Sequence, residues 1–287
     1  RSINTSVDFC GAEIVILGGV NASPSFSTFN TVYIISDDSC PLLTVTGSVL
    51  ASNLTAGSLY PTLGLFNGHG YAKITCGLQV LNRAKTGTQN YTQSFKVNRN
   101  GKVSLPLSAD ISAFASAITV NYRKTSIKRL TIENLSLMEG AWNNQRLFRV
   151  ERCNVNIDNL TLLFTGGAID NVCEIISVID SSDVTVNGYI TTGRLIVGGG
   201  EGSYSLAING GADIRVNGMN ALEGWGCFGC NDLNGLYVND STINRVDCHS
   251  SGHNIFVDNC DIHQFGVVYG WGGGLLSVKN SRFFGCW

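Results

Sequence analysis

The sequence has little charge and little proline. Charged residues make up 14% of the 287 positions, well below the roughly 25% that is usual in soluble domains. The formal net charge is only −2 and the sequence pI is about 6.1. So small an imbalance argues against a nucleic-acid partner or an anionic membrane held by bulk charge. With four prolines against 34 glycines, the composition is typical neither of a disordered chain nor of a charged helical bundle.

Long apolar runs are also missing. The run from Ala12 to Val20 is interrupted by Glu13 and by Gly18-Gly19, and no run reaches the roughly 20 residues of a membrane span. We therefore expect no membrane insertion, and no targeting segment is visible. The chain begins at Arg1 and ends at Trp287 without a polar tail, and we expect it to be a fragment of a longer chain.

Cysteine is too dilute for a disulfide scaffold, with ten residues in the whole chain. Cys227 and Cys230 form one Cys-x-x-Cys, but no second pair or nearby His stands at zinc-finger spacing. No spacing of His, Asp and Glu closes a metal shell either. We expect small, buried, reduced cysteines, as in a protein made in a reducing cell, and neither a metal nor any other cofactor.

A short phrase recurs from about residue 126: an aliphatic residue, any residue, Ile or Val, any residue, then Asn, Asp or Gly. Its aliphatic pair has the period of a β-strand, so both aliphatics face the same way. Successive copies are 19 to 30 residues apart. The second aliphatic of each copy, the anchor, is Ile132, Ile157, Val186, Val216, Val238, Val257 and Val278.

The position two residues past each anchor is always Asn, Asp or Gly, the residue types that tolerate the left-handed region of backbone space. The seven members are Asn134, Asn159, Gly188, Gly218, Asp240, Asn259 and Asn280. They predict a sharp bend at the same place in every copy. Strands and tight bends without helical periodicity are typical of a parallel β-solenoid, whose coils stack about 4.8 Å apart. A leucine-rich repeat is the alternative, but its Leu spacing and Asn column are absent.

The first 125 residues are less regular. The segment from Leu43 to Gly47 fits the phrase, and Ile118 to Val120 could anchor another coil. Between them, alternating residues on both sides of Asn100-Gly101 predict a hairpin. The segment from Ala109 to Ala117 could form a short helix.

The fold class that follows is all-β, a right-handed parallel β-helix. We expect residues 1–125 to form early coils carrying a β-rich insertion, and residues 126–287 to form regular parallel coils. A separate β-domain before residue 126 is the alternative.

Arg245, Asp247 and His249 alternate with Val246 and Cys248. Strand period turns the apolar pair inward and lines up the three polar side chains on the outer face. There Asp247 could orient His249, while Arg245 pairs with Asp247 or clamps an acidic sugar. These groups are the parts of general acid–base catalysis. A plain polar ladder on a solvated face is the alternative.

Glu201 and Glu223 form a second candidate pair. Each precedes a glycine and lies 15 residues before the next anchor, so coils in register would place the two carboxylates about one strand spacing apart. Glycosidases use paired carboxyls at about 5 to 9.5 Å. A competing register pairs Glu223 with Arg245 in a plain salt bridge.

Three aromatic residues near the same loops, Trp225, Tyr237 and Trp271, are candidates for substrate binding. Sugar rings present apolar C–H faces that stack on flat aromatic side chains. Packing within the protein is the alternative.

Two stretches, Ser241 to His249 and His253 to Ile262, resemble the right-handed parallel β-helix proteins of bacteriophage tails. These are the tailspikes and the capsule or O-antigen depolymerases with pectate-lyase-like coils. The segment from Asn100 to Leu107 is similar to the upstream part of such proteins. The resemblance implies a homotrimer on the virion tail, beside other tail proteins, folded in the host cytoplasm and acting on bacterial surface polysaccharide.

Three functions stay open. A hydrolase would use Glu201 with Glu223, or Asp247 with one of them, and the low charge favours it slightly over a lyase. A lyase would use Arg245 to neutralise a uronate while His249 or a Tyr removes the α-proton. A non-catalytic adhesin or structural rod would use the same surface without chemistry. We expect Asp247→Ala together with His249→Ala to abolish activity and to leave far-ultraviolet circular dichroism and melting unchanged.

Overall fold

The computed structural model describes residues 1–16, 30–62, 68–81, 87–139, 145–164, 174–192, 204–222 and 224–285. These residues form nineteen strands and two short 3₁₀ helices, Ala51–Leu54 and Ser112–Phe114. The strands are β1 (Ser2–Ile3), β2 (Val7–Asp8), β3 (Glu13–Ile16), β4 (Asn30–Ser36), β5 (Leu42–Gly47), β6 (Gly70–Leu81), β7 (Thr88–Val97), β8 (Ile118–Lys124), β9 (Leu130–Glu139), β10 (Gln145–Glu151), β11 (Val155–Phe164), β12 (Glu174–Asn187), β13 (Ile190–Thr192), β14 (Tyr204–Asn217), β15 (Asn220–Ala221), β16 (Gly226–Asn239), β17 (Thr242–Asp258), β18 (Asp261–Lys279) and β19 (Arg282–Phe284).

Fifteen of the strands pair in parallel and wind into a β-helix. Each full coil has three runs of extended backbone, which stack on the same runs of the next coil. We call the three stacks sheet A (for example residues 204–209), sheet B (214–217) and sheet C (220–221), in chain order. All seven anchors stand in register in sheet B, from Ile132 paired with Ile157 to Val257 paired with Val278. The parallel solenoid predicted from the repeat is confirmed.

The bend between sheets B and C is formed by the predicted column of Asn, Asp and Gly. All seven members have a positive φ, between 49° at Asn280 and 64° at Gly218. A β-branched residue there would be strained. Side chains of the column also form ladders: the Nδ2 of Asn159 donates to the Oδ1 of Asn134 at 3.0 Å, and Asn259 donates to Asp240 at 2.7 Å. The residues just before the column do the same, since Asn217 donates to Asn187 at 2.8 Å and Asn239 to Asn217 at 2.9 Å. The bends are therefore tied to one another from coil to coil.

The interior of the β-helix is a continuous apolar core. Aliphatic residues from all three sheets fill it, with Phe148, Phe228 and Tyr189 as its largest members. Burying apolar surface contributes roughly 25 cal/mol per Å². Because like residues stack on like, the core runs without a break along the described coils.

The four remaining strands form a separate antiparallel sheet, in the order β5, β8, β6, β7. It is inserted between the sheet A run of β4 and the sheet B run of β9, and it has its own core. Two expectations for the first half are wrong. Leu43–Gly47 and Ile118–Val120 pair with each other in this sheet, Val45 opposite Val120, rather than in coils of the β-helix. Of the predicted helix near residues 109–117, one 3₁₀ turn forms.

The inserted sheet docks on the corner between sheets A and B through polar contacts. Lys73 Nζ lies 2.7 Å from Asp180 Oδ1, and Lys96 Nζ lies 2.8 Å from Asp213 Oδ2. The amide of Asn234 donates to the carbonyl of Ser94 at 2.7 Å. Asp180 and Asp213 both have positive φ, so they mark bends as well as contacts.

His253 lies buried in this interface. Its Nδ1 is 2.9 Å from Ser108 Oγ, and its Nε2 is 3.3 Å from the Thr92 carbonyl oxygen. A neutral ring satisfies both contacts, because Nε2–H donates to the carbonyl and Nδ1 accepts from the hydroxyl. Burial disfavours the imidazolium and lowers the pKa of His253 to about 4, from its usual 6.5.

Acidification should therefore destabilise the protein through His253. Between pH 6.5 and 4 the unfolded chain binds a proton at this position that the folded chain does not, so stability falls as the pH falls through that window. The full effect is about 3 kcal/mol, from a pKa difference of about 2.5. We expect the unfolding free energy of His253→Gln, measured in urea, to depend less on pH across this window. The matched variant His263→Gln should keep the wild-type slope, and an unchanged slope in His253→Gln would contradict the assignment.

Candidate functional site

The sheet A run of β17 carries the predicted polar trio. Val246 and Cys248 belong to the core, and Arg245, Asp247 and His249 alternate with them on the other side of the strand, as the strand period predicts. The alternative, a solvated polar ladder, does not hold for two of the three. Asp247 is 0% exposed and Arg245 4%, whereas the His249 side chain keeps 27% of its exposure. Neighbouring side chains cover the polar ladder and leave the imidazole accessible.

The trio forms a continuous polar relay with a fourth residue, Tyr204. Arg245 Nη2 lies 2.5 Å from Asp247 Oδ2, and the same oxygen lies 3.0 Å from His249 Nε2. The hydroxyl oxygen of Tyr204 is 2.9 Å from that Nε2. The order Arg245, Asp247, His249, Tyr204 thus links a buried ion pair to a partly exposed imidazole and a phenol.

Tyr204 reaches His249 because two glycines leave room for its ring. A Cβ added at Gly229 would lie 2.6 Å from the Tyr204 ring, and one at Gly226 would lie 3.2 Å from it. Gly229 pairs with Asp247 in the next coil, so the ring lies beside the carboxylate. Sequence reasoning missed Tyr204. The signal that could have found it is the missing side chain at Gly229, opposite a polar outward position.

His249 occupies an irregularity in the ladder. Cys230 pairs with Cys248, and Asn231 pairs with Ser250, so β17 has one more residue than β16 at this point. Such a bulge bends the strand, increases its local twist and often lies beside a functional group. Here it sets the imidazole between Asp247 and Tyr204.

Trp225, one of the predicted substrate-binding residues, belongs to the same cluster. The guanidinium carbon of Arg245 lies 4.9 Å from the centroid of its ring, within cation–π range. The ring therefore covers the buried end of the relay. Glu201 and Glu223, the predicted carboxylate pair, lie outside the described residues.

Tyr237 and Trp271 lie apart from the relay. Tyr237 is in sheet B, with the guanidinium carbon of Arg215 4.4 Å from its centroid and Phe256 stacked at 4.9 Å. A sugar could stack on Tyr237 only by displacing one of them. Trp271 pairs with Ser250 of the preceding coil in sheet A. Its ring packs edge-on against Tyr91 of the inserted sheet, with the ring centroids 5.7 Å apart.

The cysteines behind the relay are free and buried, as expected. Cys230 and Cys248 lie opposite each other in neighbouring strands of adjacent coils, and both face the core as free thiols. Burial raises the pKa of Cys248 to about 12, and the carboxylate of Asp247 adds to the rise. Such thiols are poor nucleophiles and metal ligands. Among the described residues, no group of three His, Cys, Asp or Glu could hold a metal ion, and no helix is long and apolar enough to cross a membrane.

Replacing Asp247 should cost stability, contrary to the expectation for a solvated ladder. Asp247→Ala removes the carboxylate from a buried guanidinium, a change that typically destabilises by about 3–5 kcal/mol. The matched control is Asp261→Ala, which breaks the exposed pair with Arg282 and should change stability little. Urea unfolding of the two variants tests this, and equal stabilities would contradict the buried pair. His249 is therefore the cleaner position at which to test activity.

The fold can be compared with known proteins. No protein-family model matches the chain, and no curated protein does. Among solved structures, the tailspike protein gp49 of Pseudomonas phage LKA1 matches 99% of this chain with a TM-score of 0.56 and 13% identity. The tailspike gp61 of Pseudomonas phage phi297 matches 98% with a TM-score of 0.58 and 13% identity.

The matched region is 48% of the first tailspike and 52% of the second, so this chain spans about half the length of either. At 13% identity the likeness concerns the fold. The chain has the parallel β-helix fold that these two phage tailspikes have.

Proposed function

We propose that this chain is part of a phage tail protein that recognises and cleaves a bacterial surface polysaccharide, such as a capsule, O-antigen or exopolysaccharide. The observation that carries the proposal is the relay of Arg245, Asp247, His249 and Tyr204 on sheet A. The tailspike fold supports the location on the virion tail. The relay supports chemistry rather than binding alone. Burying the charges of Arg245 and Asp247 costs desolvation free energy, and buried charges beside an accessible imidazole are typical of catalytic sites.

His249 is the group that meets the polymer in this proposal. Its imidazole is partly exposed and is held by a carboxylate that is itself paired with Arg245. A carboxylate behind an imidazole stabilises the imidazolium that forms when the ring accepts a proton. General acid–base catalysis by such a group contributes about 10²- to 10⁴-fold. Trp225 lies beside the relay and would stack on a neighbouring sugar.

Endo-glycosidic hydrolysis is the first form of the reaction. It uses paired carboxylates, for which we retain Glu201 and Glu223. Asp247 is fully buried, so it acts through His249 and does not itself touch the sugar. In this form His249 moves a proton to or from the attacking water or the leaving oxygen.

A polysaccharide lyase is the second form, and one observation favours it. Among the relay's members the accessible one is an imidazole with a phenol 2.9 Å away, whereas the carboxylate is covered. An imidazole can take the α-proton of a uronate; the bond to the leaving oxygen then breaks and a carbon–carbon double bond forms. The low charge of the chain opposes a strongly anionic polymer.

Digestion of a panel of purified capsules and O-antigens tests the proposal. We expect one polymer to be shortened, as seen by size-exclusion chromatography. New ultraviolet absorbance from an unsaturated uronate would identify the lyase, and shortening without it the hydrolase. A polymer that is retained on the protein but never shortened would contradict cleavage and leave a glycan-binding adhesin.

On the polymer that is cleaved, His249→Gln should lower kcat by at least about 100-fold. Far-ultraviolet circular dichroism and glycan binding should stay as in the wild type. His263→Gln is the matched control, because His263 stacks on Phe284 away from the relay and its loss should leave kcat unchanged. Full activity in His249→Gln would remove the relay from the reaction.

Assembly belongs to the same proposal. We expect a homotrimer that contacts other tail proteins, as the resemblance to tailspikes implies. Light scattering of the purified protein would give its mass, and a monomer at micromolar concentration would count against the trimer for this segment.

A further inference from the structure

We propose that His249 exchanges protons with its ligand through Nδ1, and that Asp247 and Tyr204 are positioning residues that hold the ring by Nε2. The identity of the ligand rests on the proposed function; the ring geometry does not.

The first step is the position of the ring proton. Asp247 Oδ2 lies 3.0 Å from His249 Nε2. If Nε2 carried a lone pair, that lone pair would face a carboxylate oxygen and repel it. A proton on Nε2 makes the same 3.0 Å contact electrostatically favourable, because the N–H dipole then faces the carboxylate. The neutral ring therefore carries its proton on Nε2 and leaves a lone pair on Nδ1.

The second step is the role of Tyr204. Its hydroxyl oxygen lies 2.9 Å from the same Nε2, and the two rings meet at 64° with centroids 5.7 Å apart. With its proton on Nε2, the ring donates to the phenol oxygen of Tyr204, and Asp247 Oδ2 lies 3.0 Å from the same nitrogen. Contact from two sides restrains the rotation of the imidazole, which a single hydrogen bond would not do.

The third step is access. Within the described ranges, Nδ1 of His249 has no hydrogen-bond partner in the chain. The His249 side chain is 27% exposed, against 0% for Asp247 and 6% for Tyr204. A ligand can therefore reach the imidazole more easily than either of the groups that hold it.

The proton balance closes without any further reactant. The lone pair on Nδ1 accepts a proton from a water, a sugar hydroxyl or a carbon acid, and the resulting imidazolium is balanced by Asp247. Nδ1 then returns that proton to the leaving oxygen or to solvent. The same atom can serve hydrolysis or elimination.

Nuclear magnetic resonance of the histidine rings tests the tautomer without any ligand. The chain has four His residues, so the spectrum of His249→Gln identifies the His249 signals by their loss. In long-range ¹H–¹⁵N spectra of the intact protein with the ring neutral, we expect a protonated Nε2 and an unprotonated Nδ1. A proton on Nδ1 in the wild type would overturn the proposal.

Asp247→Asn is the sharpest variant, because the side chain keeps its shape and loses its charge. The amide of Asn can donate to Nε2, which would move the ring proton to Nδ1. In serine proteases, the change from Asp to Asn behind the catalytic imidazole imposes the wrong tautomer and lowers kcat by roughly 10⁴-fold. We expect the tautomer to switch and kcat on the cleaved polymer to fall by about 10³-fold or more, near that scale, with little change in KM.

Tyr204→Phe keeps the ring and removes one acceptor, so it remains informative if Asp247→Asn fails to fold. We expect the Nε2 tautomer to persist, the His249 ring signals to shift, and kcat to fall about fivefold, the worth of one neutral hydrogen bond, at constant KM. The matched control, Tyr122→Phe, removes a hydroxyl that contacts the carbonyl of His69 and should change neither readout. A His249 spectrum in Tyr204→Phe identical to the wild type would overturn the positioning role.

The two proposals can fail separately. If no polymer is cleaved or bound, the proposed function fails while the ring spectra still decide the tautomer. If a polymer is cleaved but the proton is on Nδ1, the proposed function stands and this inference does not.

Discussion

Parallel hydrogen bonding from each coil to the next determines where every other group of this protein lies. Because the strands stack in register, a residue at one position of the repeat lies about 4.8 Å from its counterpart in the next coil. Aliphatic residues that repeat in the sequence then form a continuous core, and Asn residues that repeat form ladders of side-chain hydrogen bonds. The same stacking brings Gly229 opposite Asp247. The site is therefore built across coils, from residues that are far apart in the chain.

Several charged groups of the protein are buried with their partners, whereas others, such as Arg282 and Asp261, pair at the surface. Arg245 and Asp247 lose nearly all contact with water, and the attraction of Nη2 for Oδ2 at 2.5 Å offsets part of the cost of burying them. The inserted sheet is held by a similar arrangement of Lys73 and Lys96 with carboxylates of the β-helix. A chain with so little charge uses much of it in specific contacts. Burial also acts on a neutral group of the same interface, since it lowers the pKa of His253.

The regular half of the fold could be predicted from the sequence because its pattern is local. The anchors and the bend after sheet B recur at a fixed offset, and both were found. A second bend column, three residues before the anchors, was missed, although Asn154, Asp183 and Asp213 carry it. The site was predicted in part: period 2 brought Arg245, Asp247 and His249 together. Their burial could not be predicted, because Trp225 and Tyr204 cover them from other coils and a bulge at His249 shifts the register.

The place of the inserted sheet in the chain has a consequence for synthesis. Its strands lie between Leu42 and Lys124, and the β-helix residues that they contact lie between Glu151 and Trp271. A ribosome therefore releases the inserted sheet before the surface on which it docks has been made. In that interval the sheet has only its own core for support, and its lysines have no carboxylates to meet. Contacts so distant in sequence form slowly. Until the later coils have been made, the nascent chain therefore exposes the face of the sheet that docks on the β-helix.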